Sequence, residues 1–110
     1  MSLRDTVTGG ALTEATLIIL LALYRPNHGY GIMQFAERET DGRLLLGPGT
    51  LYGALNTLQQ KGWIEPAADV SAVGRKKKYV ITALGKEIVG AEIGRLAQVL
   101  QCAKTITGGD

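Results

Sequence analysis

Four consecutive basic residues, at positions 75–78, follow a helix-forming segment whose polar positions carry no acidic side chain. Lysine and arginine bind phosphate groups as cations, and these positions hold a third of the 12 basic residues in the chain. On the helix segment, the amide of Asn56 can donate to and accept from an adenine edge, and the Thr50 hydroxyl can bond a phosphate. These residue types suit contact with DNA, with phosphates bound by Arg75, Lys76, Lys77 and Lys78.

Gly53 lies in the middle of the helix-forming segment, where glycine costs roughly 1 kcal/mol relative to alanine. Close approach of another backbone, here that of DNA, would explain a glycine at this position. Taken alone, the helix face is also compatible with a neutral solvated surface, and a lone basic run favours a solubilising cluster on an edge strand. The position of the basic run directly after the helix shifts the interpretation of both features toward DNA.

The periodicity of apolar residues predicts four helices, over residues 13–25, 30–39, 49–61 and 83–105. The first is apolar on nearly every side and is expected to be the central buried helix. The third has a buried stripe of Leu51, Leu55 and Leu58, which recur at i, i+4 and i+7. Thr13 and Thr82 are suited to cap the N-termini of the first and the last helix.

Two strands are predicted between the third and fourth helices, over residues 63–67 and 77–82, and they form a β-hairpin. Residues 44–46 could add a short strand. Residues 26–29 are predicted as a turn, in which His28, the only histidine, takes a turn or cap role rather than a catalytic one. Because two strands alone are marginally stable, the hairpin must pack on the helices.

Apolar residues recur by three and four along the last helix, which is a seam spacing over a little more than two heptads. We expect this seam to join two copies of the chain, because a domain of 110 residues has a modest core and a dimer buries more apolar surface. The predicted dimer interface consists of Val89, Ile93, Leu96, Leu100 and Ala103.

Composition excludes several other classes of protein. The chain is 45% hydrophobic and 20% charged, as in ordinary globular domains, and its net charge is only +2. The single cysteine, Cys102, precludes an intrachain disulfide and a cysteine-rich metal site. The longest apolar run, over residues 17–24, is too short to span a bilayer, and the N-terminus lacks the apolar stretch of a secretion signal. We therefore expect a cytoplasmic, non-enzymatic protein without cofactor or metal and without a membrane partner.

Four motif regions occur along the chain. They are the first helix over residues 12–23, HGYGI (28–32), GTLYGAL (49–55) with GWI (62–64), and GRKKKY (74–79) leading to ITALG (81–85). Jointly these motifs are specific, and over roughly residues 12–100 their kind and order resemble those of the PadR family of bacterial transcriptional regulators.

The resemblance implies a mainly α fold with a small β-hairpin. A winged helix-turn-helix DNA-binding domain would span residues 1–82, and a C-terminal dimerisation helix would span residues 83–110. Members of the family are mostly repressors, and many are released from DNA by a small molecule, so the resemblance implies such a repressor. As a homodimer it would bind double-stranded DNA at a pseudo-palindromic operator, with two recognition helices about 34 Å apart.

Carried over position by position, the resemblance implies DNA contacts at Tyr30, Thr50, Tyr52 and residues 75–78. It gives Tyr79 and Thr82 structural roles. Two further DNA-facing residues, Gly53 and Asn56, come from the chemistry of the helix face described above.

A single long C-terminal helix resembles the short subfamily of these regulators, whose dimer can enclose a flat hydrophobic pocket. Some drug-sensing relatives carry a tryptophan on this helix, whereas residues 93–97 here contain no aromatic side chain. A small hydrophobic effector is thus an expectation from resemblance, and an aromatic drug is less well supported.

Two other functions stay open: a winged-helix module that binds a protein partner through the Tyr52 and Asn56 face, and a ligand-binding dimer that acts mainly as a sensor.

Overall fold

The computed structural model describes residues 4–5, 7–8, 10–67 and 77–109. Its helices confirm the mainly α class; they are α1 (Glu14–Ala22), α2 (Gly29–Glu39), α3 (Pro48–Gln60) and α4 (Ala83–Thr107). The strands are short; they are β1 (Arg4–Asp5), β2 (Val7–Thr8), β3 (Asn27–His28), β4 (Ile64–Pro66) and β5 (Lys78–Ile81).

The predicted N-caps of the first and last helices are confirmed. The hydroxyls of Thr13 and Thr82 each accept from the backbone N–H three residues further on, at 3.1 and 3.0 Å. His28 caps α2 in the same way, since its Nδ1 accepts from the Gly31 N–H at 3.0 Å. These bonds satisfy amide groups that the first turn of a helix leaves without a partner.

Two helix ends differ from the predicted ones by more than one residue. Helix α1 ends at Ala22 rather than at residue 25, because the N–H groups of Leu23 and Tyr24 donate to carbonyls only three residues back. Pro26 follows and disfavours further helix. Helix α4 continues to Thr107 and ends at Gly108, whose φ of +69° is the left-handed conformation that favours glycine at a helix end.

Strands β3, β5 and β4 form one antiparallel sheet, with β5 in the centre. The predicted hairpin is confirmed, because Ile64 pairs with Ile81 and Glu65 with Val80. This hairpin of β4 and β5, over residues 64–81, is the wing. One further strand pairs with the other side of β5.

That further strand is β3, and the expectation of a strand over residues 44–46 is wrong. Residues 27–28, predicted as part of a turn, occupy the free edge of β5 instead. Within residues 44–46, Leu46 is buried in the core and Leu45 is exposed. The apolar run thus anchors the loop before α3 through Leu46 and the partly buried Leu44, without any strand partner among the described residues.

The core forms around α1, as its apolar sequence predicts. Ile19, Leu20 and Leu23 have no exposed surface. The predicted α3 stripe is confirmed as buried, and the sheet and α4 close the core; the residues they contribute are Leu51, Leu55, Leu58, Ile64, Ile81 and Val89.

Helix α4 begins against the sheet at Gly85. A Cβ on Gly85 would lie 2.2 Å from the carbonyl oxygen of Trp63 and 2.6 Å from Cγ1 of Ile81. Because the nearer atom belongs to the backbone and cannot move aside, only glycine fits there. This close approach fixes the start of α4 on the winged-helix unit.

The C-terminal part of α4 extends away from the rest of the chain. Beyond residue 92, every residue up to 109 is exposed except Arg95, which is half-buried. The radius of gyration is 15.5 Å, against about 13 Å for a compact domain of this length. The fold is therefore a compact winged-helix unit with a projecting helix.

Candidate nucleic-acid interface

Helix α3 presents a polar face to solvent. Pro48 occupies its first turn, which suits the fixed φ of proline, and the leucine stripe turns the opposite face into the core. The exposed residues include all four that were predicted to face DNA, which are Thr50, Tyr52, Gly53 and Asn56. None of the exposed residues of α3 is acidic, so the face has no carboxylate to repel phosphate.

Tyr52 is positioned by a contact with the first turn of α2. A Cβ on Gly29 would lie 2.2 Å from the Tyr52 Oη and 2.7 Å from its Cζ. Gly29 thus leaves room for the Tyr52 ring, which stays 48% exposed. Tyr30, the next residue of α2, is also exposed, so the structure brings Tyr52 to the helix turn that carries Tyr30.

Asn27 and His28 hold the start of α2 in place, and the sequence did not reveal the role of Asn27. Its Oδ1 accepts from the His28 N–H at 2.9 Å. A Cβ on Gly31 would lie 2.1 Å from that Oδ1, so Gly31 makes room for the amide. The predicted cap role of His28 is confirmed by the bond from the Gly31 N–H.

The base of the wing is linked to this turn through β3. Asn27 pairs with Tyr79 and His28 pairs with Lys78 across the antiparallel ladder. Lys77 is exposed, and its ammonium lies 5.3 Å from the centre of the Tyr79 ring, as expected for residues on one face of a strand. The predicted contacts Arg75 and Lys76, and the loop over 69–74, lie outside the described residues.

In the part of the chain that the structure describes, nothing requires glycine at position 53. A Cβ there would meet no atom within 4 Å, although the position borders a groove of about 380 Å³ between α3, the start of α1 and Trp63. Packing among the described residues therefore does not offset the free-energy cost of placing glycine in this helix. The close approach of an external partner that the sequence predicts would explain the glycine and stays a prediction.

The predicted dimer seam divides into two parts in the structure. Val89 is only 1% exposed and packs in the core of its own protomer, so it has no surface for a second chain. Ile93, Leu96, Leu100 and Ala103 are exposed. Val99 and Ile106, which the seam prediction omitted, are exposed apolar residues of the same projecting segment, and Cys102 is exposed beside them.

Glu92 lies where α4 leaves the start of α1. Its carboxylate accepts from Nε and Nη2 of Arg95 at 2.7 and 2.6 Å and from the Leu12 N–H at 3.3 Å. Next to it is a pocket of about 360 Å³, lined by Leu12, Glu14, Leu17, Ile18, Glu92, Arg95 and Leu96. Most of these side chains are apolar, so the pocket is hydrophobic, with the Glu92–Arg95 ion pair in its wall.

Stability at acid pH should depend on Glu92. Its bond from Arg95 lowers the pKa of the carboxyl below the usual value, against the opposing effect of burial, and the Leu12 N–H lowers the pKa further. The folded state therefore releases the proton more readily than the unfolded state. This contribution to stability is present above the unfolded pKa of about 4.3 and is lost as pH falls through the lower folded value.

Urea unfolding of wild type and Glu92→Gln between about pH 6 and pH 3 checks this. The free energy of unfolding of wild type should fall more steeply with decreasing pH than that of the variant. The exposed Glu14–Arg43 pair is present in both proteins and cancels in the comparison. Parallel pH profiles would contradict the expectation.

Among the described residues, no group of three or more histidine, cysteine, aspartate or glutamate side chains is placed to hold a metal ion. No helix that the structure describes combines the length and hydrophobicity needed to cross a membrane.

Comparison with known proteins assigns the family. The profile of the transcriptional regulator PadR-like family matches residues 17–91, which run from α1 to the middle of α4. The chain belongs to the PadR-like family of transcriptional regulators. The match includes α2, α3, the sheet and the first part of α4, so the contacts among Asn27, His28, Gly29, Tyr52 and β5 lie within the PadR-like region.

Relatives of this PadR-like chain include two bacterial proteins. It is 33% identical over 97 residues to the uncharacterized protein X of Lysinibacillus sphaericus, covering 87% of each chain. It is 34% identical over 87 residues to the uncharacterized 37.1 kDa protein in transposon TN4556 of Streptomyces fradiae. That alignment covers 78% of this chain but only 24% of the Streptomyces protein.

A solved structure shows the same fold. The crystal structure of a PadR family transcription regulator from Clostridium difficile superposes with a TM-score of 0.71, covering 86% of this chain and 99% of that one. The sequence identity is 20%, so the likeness concerns the fold. It confirms the winged-helix architecture, and the family match places the PadR-like chain among transcriptional regulators.

Proposed function

We propose that this PadR-like protein is a homodimeric, sequence-specific repressor that a small hydrophobic effector releases from its operator. Residues 1–82 form the DNA-binding unit, and residues 83–110 form the dimerisation helix. The two α3 helices enter successive major grooves of a pseudo-palindrome, about 34 Å apart. DNA contacts come from Tyr30, Thr50, Tyr52, Gly53, Asn56, Arg75, Lys76, Lys77 and Lys78.

The observation that carries this proposal is the continuous line of contacts from the wing to α3. Lys78 of β5 pairs with His28 of β3, and His28 caps the helix whose first residue is Gly29. Gly29 in turn lies under the ring of Tyr52 on α3. A basic strand and a polar recognition helix are thus held as one unit, as phosphate and base contacts from the same module require.

The projecting part of α4 supports the homodimer. In an isolated chain, its exposed apolar side chains would form a row in contact with water. Such a row favours association with another protein surface. A second copy offers the same row, so that the two helices can pack face to face. The residues proposed for this interface are Ile93, Leu96, Leu100 and Ala103, joined by Val99.

The pocket between α1 and α4 supports an effector. Its volume of about 360 Å³ lies within the range of small-molecule sites, and its walls are mainly apolar. Leu96 belongs both to this pocket and to the proposed dimer row, so an occupant would touch the interface. We propose a compact hydrophobic effector, since no aromatic ring on residues 93–97 offers stacking to a planar one.

DNA binding by the wing lysines is tested with the double variant Lys77→Ala/Lys78→Ala. Binding to a duplex from the protein's own upstream region should weaken for all sequences, and the plot of log K against log salt should become shallower. Each lost phosphate contact reduces the slope by about 0.9. Fluorescence anisotropy from about 50 to 200 mM salt measures both quantities.

The matched control is Lys86→Ala/Lys104→Ala, which removes the same two charges from exposed positions of α4. Its salt slope should equal that of wild type. Equal slopes for all three proteins would show that the wing base does not hold phosphate. If wild type shows no preference over random DNA at moderate salt, the DNA-binding function is wrong, and a protein partner for the Tyr52 face becomes the better hypothesis.

A further inference from the structure

Among the described residues, Glu92 is the one charged side chain that is buried, with 3% of its surface exposed. It is neither in the α3 face nor in the wing. Its bonds reach in two directions: to Arg95 one turn further along α4, and to the Leu12 N–H, 80 residues away in sequence and just before α1. It therefore joins α4 to the segment that leads into the central helix α1.

Glu92 is also the last buried residue of α4. The buried positions of this helix are Gly85, Val89 and Glu92, spaced i, i+4 and i+7 on one face. Gly85 rests on the sheet and Val89 in the core, whereas beyond Glu92 the same face is exposed. The carboxylate thus lies at the point where α4 parts from its own protomer.

The angle of α4 at this point has a large effect further along the helix. From residue 92 to Thr107 the helix continues for 15 residues, which is about 22 Å at 1.5 Å per residue. A tilt of about 10° at Glu92 would move the helix end by about 4 Å, more than the 3.4 Å rise of one DNA base pair. In a dimer joined through this segment, such a tilt changes the distance between the two α3 helices.

We propose that Glu92 is a positioning residue: Arg95, on the same helix, orients its carboxylate, and its bond from the Leu12 N–H fixes the angle of α4 and so the half-site spacing that the dimer accepts. The inference rests on the proposed function, since it needs a dimer that binds two half-sites. A buried ion pair is weak evidence for stability, because desolvation offsets much of its attraction. A directional role explains why this carboxylate, oriented by Arg95, accepts from the Leu12 N–H at the point where the helix leaves the protomer.

The test compares binding of full-length wild type and Glu92→Leu to duplexes whose two half-sites are separated by different numbers of base pairs. The half-site is the one selected from a random library by the wild-type protein. Wild type should prefer one spacing over its neighbours by about tenfold or more. The leucine variant, which keeps the volume but loses all three bonds, should show a preference below about threefold or a shifted optimum, with single-half-site affinity unchanged.

The matched control is Glu87→Gln, an exposed glutamate on the same helix, which should keep the wild-type spacing profile. If Glu92→Leu is not a folded dimer by circular dichroism and sedimentation, Arg95→Gln takes its place with the same expected result. A folded dimer with the wild-type spacing profile would overturn the inference while leaving the repressor intact. Failure of wild type to bind at any spacing would overturn the proposed function, and this inference with it.

Discussion

Replacing Gly29 with alanine is expected to reduce operator affinity by about 100-fold while the chain stays folded. The new Cβ would lie 2.2 Å from the Tyr52 Oη and 2.7 Å from its Cζ, so the ring must leave its place. A dimer would lose two contacts with DNA bases or phosphates, each worth about 1.4 kcal/mol. Each such loss is a tenfold loss of affinity, so the two together give about 100-fold. Because Tyr52 is half-exposed, its ring can swing into solvent, and the free energy of unfolding should fall by only about 1 kcal/mol.

A double-mutant cycle separates this mechanism from general damage. In a Tyr52→Ala background the ring is already gone, so Gly29→Ala should change affinity by less than about twofold. Anisotropy titrations of the four proteins on one duplex, with thermal unfolding of each, give the coupling between the two positions. An undiminished effect of Gly29→Ala in that background would mean that the glycine does not act through Tyr52.

Leu100→Glu should convert the dimer to a monomer and reduce operator affinity by about 100-fold or more, because the second half-site is then bound as a separate event. Leu100 is 56% exposed on the projecting segment, where its loss removes no contact in the protomer core. A charge there would be buried without a partner in the dimer. Sedimentation velocity measures the mass, and anisotropy measures the affinity.

The control for this variant is Gln98→Glu, which adds the same charge two residues away on the opposite side of α4. It should remain a dimer with wild-type affinity, and both variants should keep the thermal stability of the winged-helix unit. A Leu100→Glu protein that still sediments as a dimer would show that the two chains associate through another surface.

The residues that sequence patterns located well are those governed by local rules. The leucine stripe of α3 follows from its i, i+4, i+7 spacing, and the caps Thr13 and Thr82 follow from their hydroxyls before apolar runs. The hairpin follows from two short runs of strand-forming residues on either side of the predicted loop over residues 69–74. In each case the local signal and the tertiary structure favour the same conformation.

Other features depend on neighbours that are distant in sequence. Strand β3 has two residues and no strand pattern of its own, and it exists because β5 offers an open edge. The need for glycine at 29 arises from a ring on another helix. Periodicity also shows that Val89 lies on an apolar face, but it does not show which chain covers that face. In the structure, the core of the same protomer covers Val89.

Glu92 shows the same limit for a charged residue. Spaced three residues from Arg95 on a helix, it has the sequence pattern of an ordinary surface ion pair. Its burial and its bond to Leu12 depend on how α4 crosses the start of α1, which no local signal encodes. The DNA-contact residues themselves remain predictions, with their exposure and mutual placement now defined for Tyr30, Tyr52 and the wing base.

Selection of bound duplexes from a random-sequence library by the purified full-length protein tests the dimeric, sequence-specific function most directly. The enriched sequences should converge on a pseudo-palindrome whose half-sites are centred about 10 base pairs apart, one helical turn for two symmetry-related α3 helices. Enrichment of a single unrepeated half-site would contradict the dimer, and no enrichment over several rounds at about 150 mM salt would contradict sequence-specific DNA binding itself.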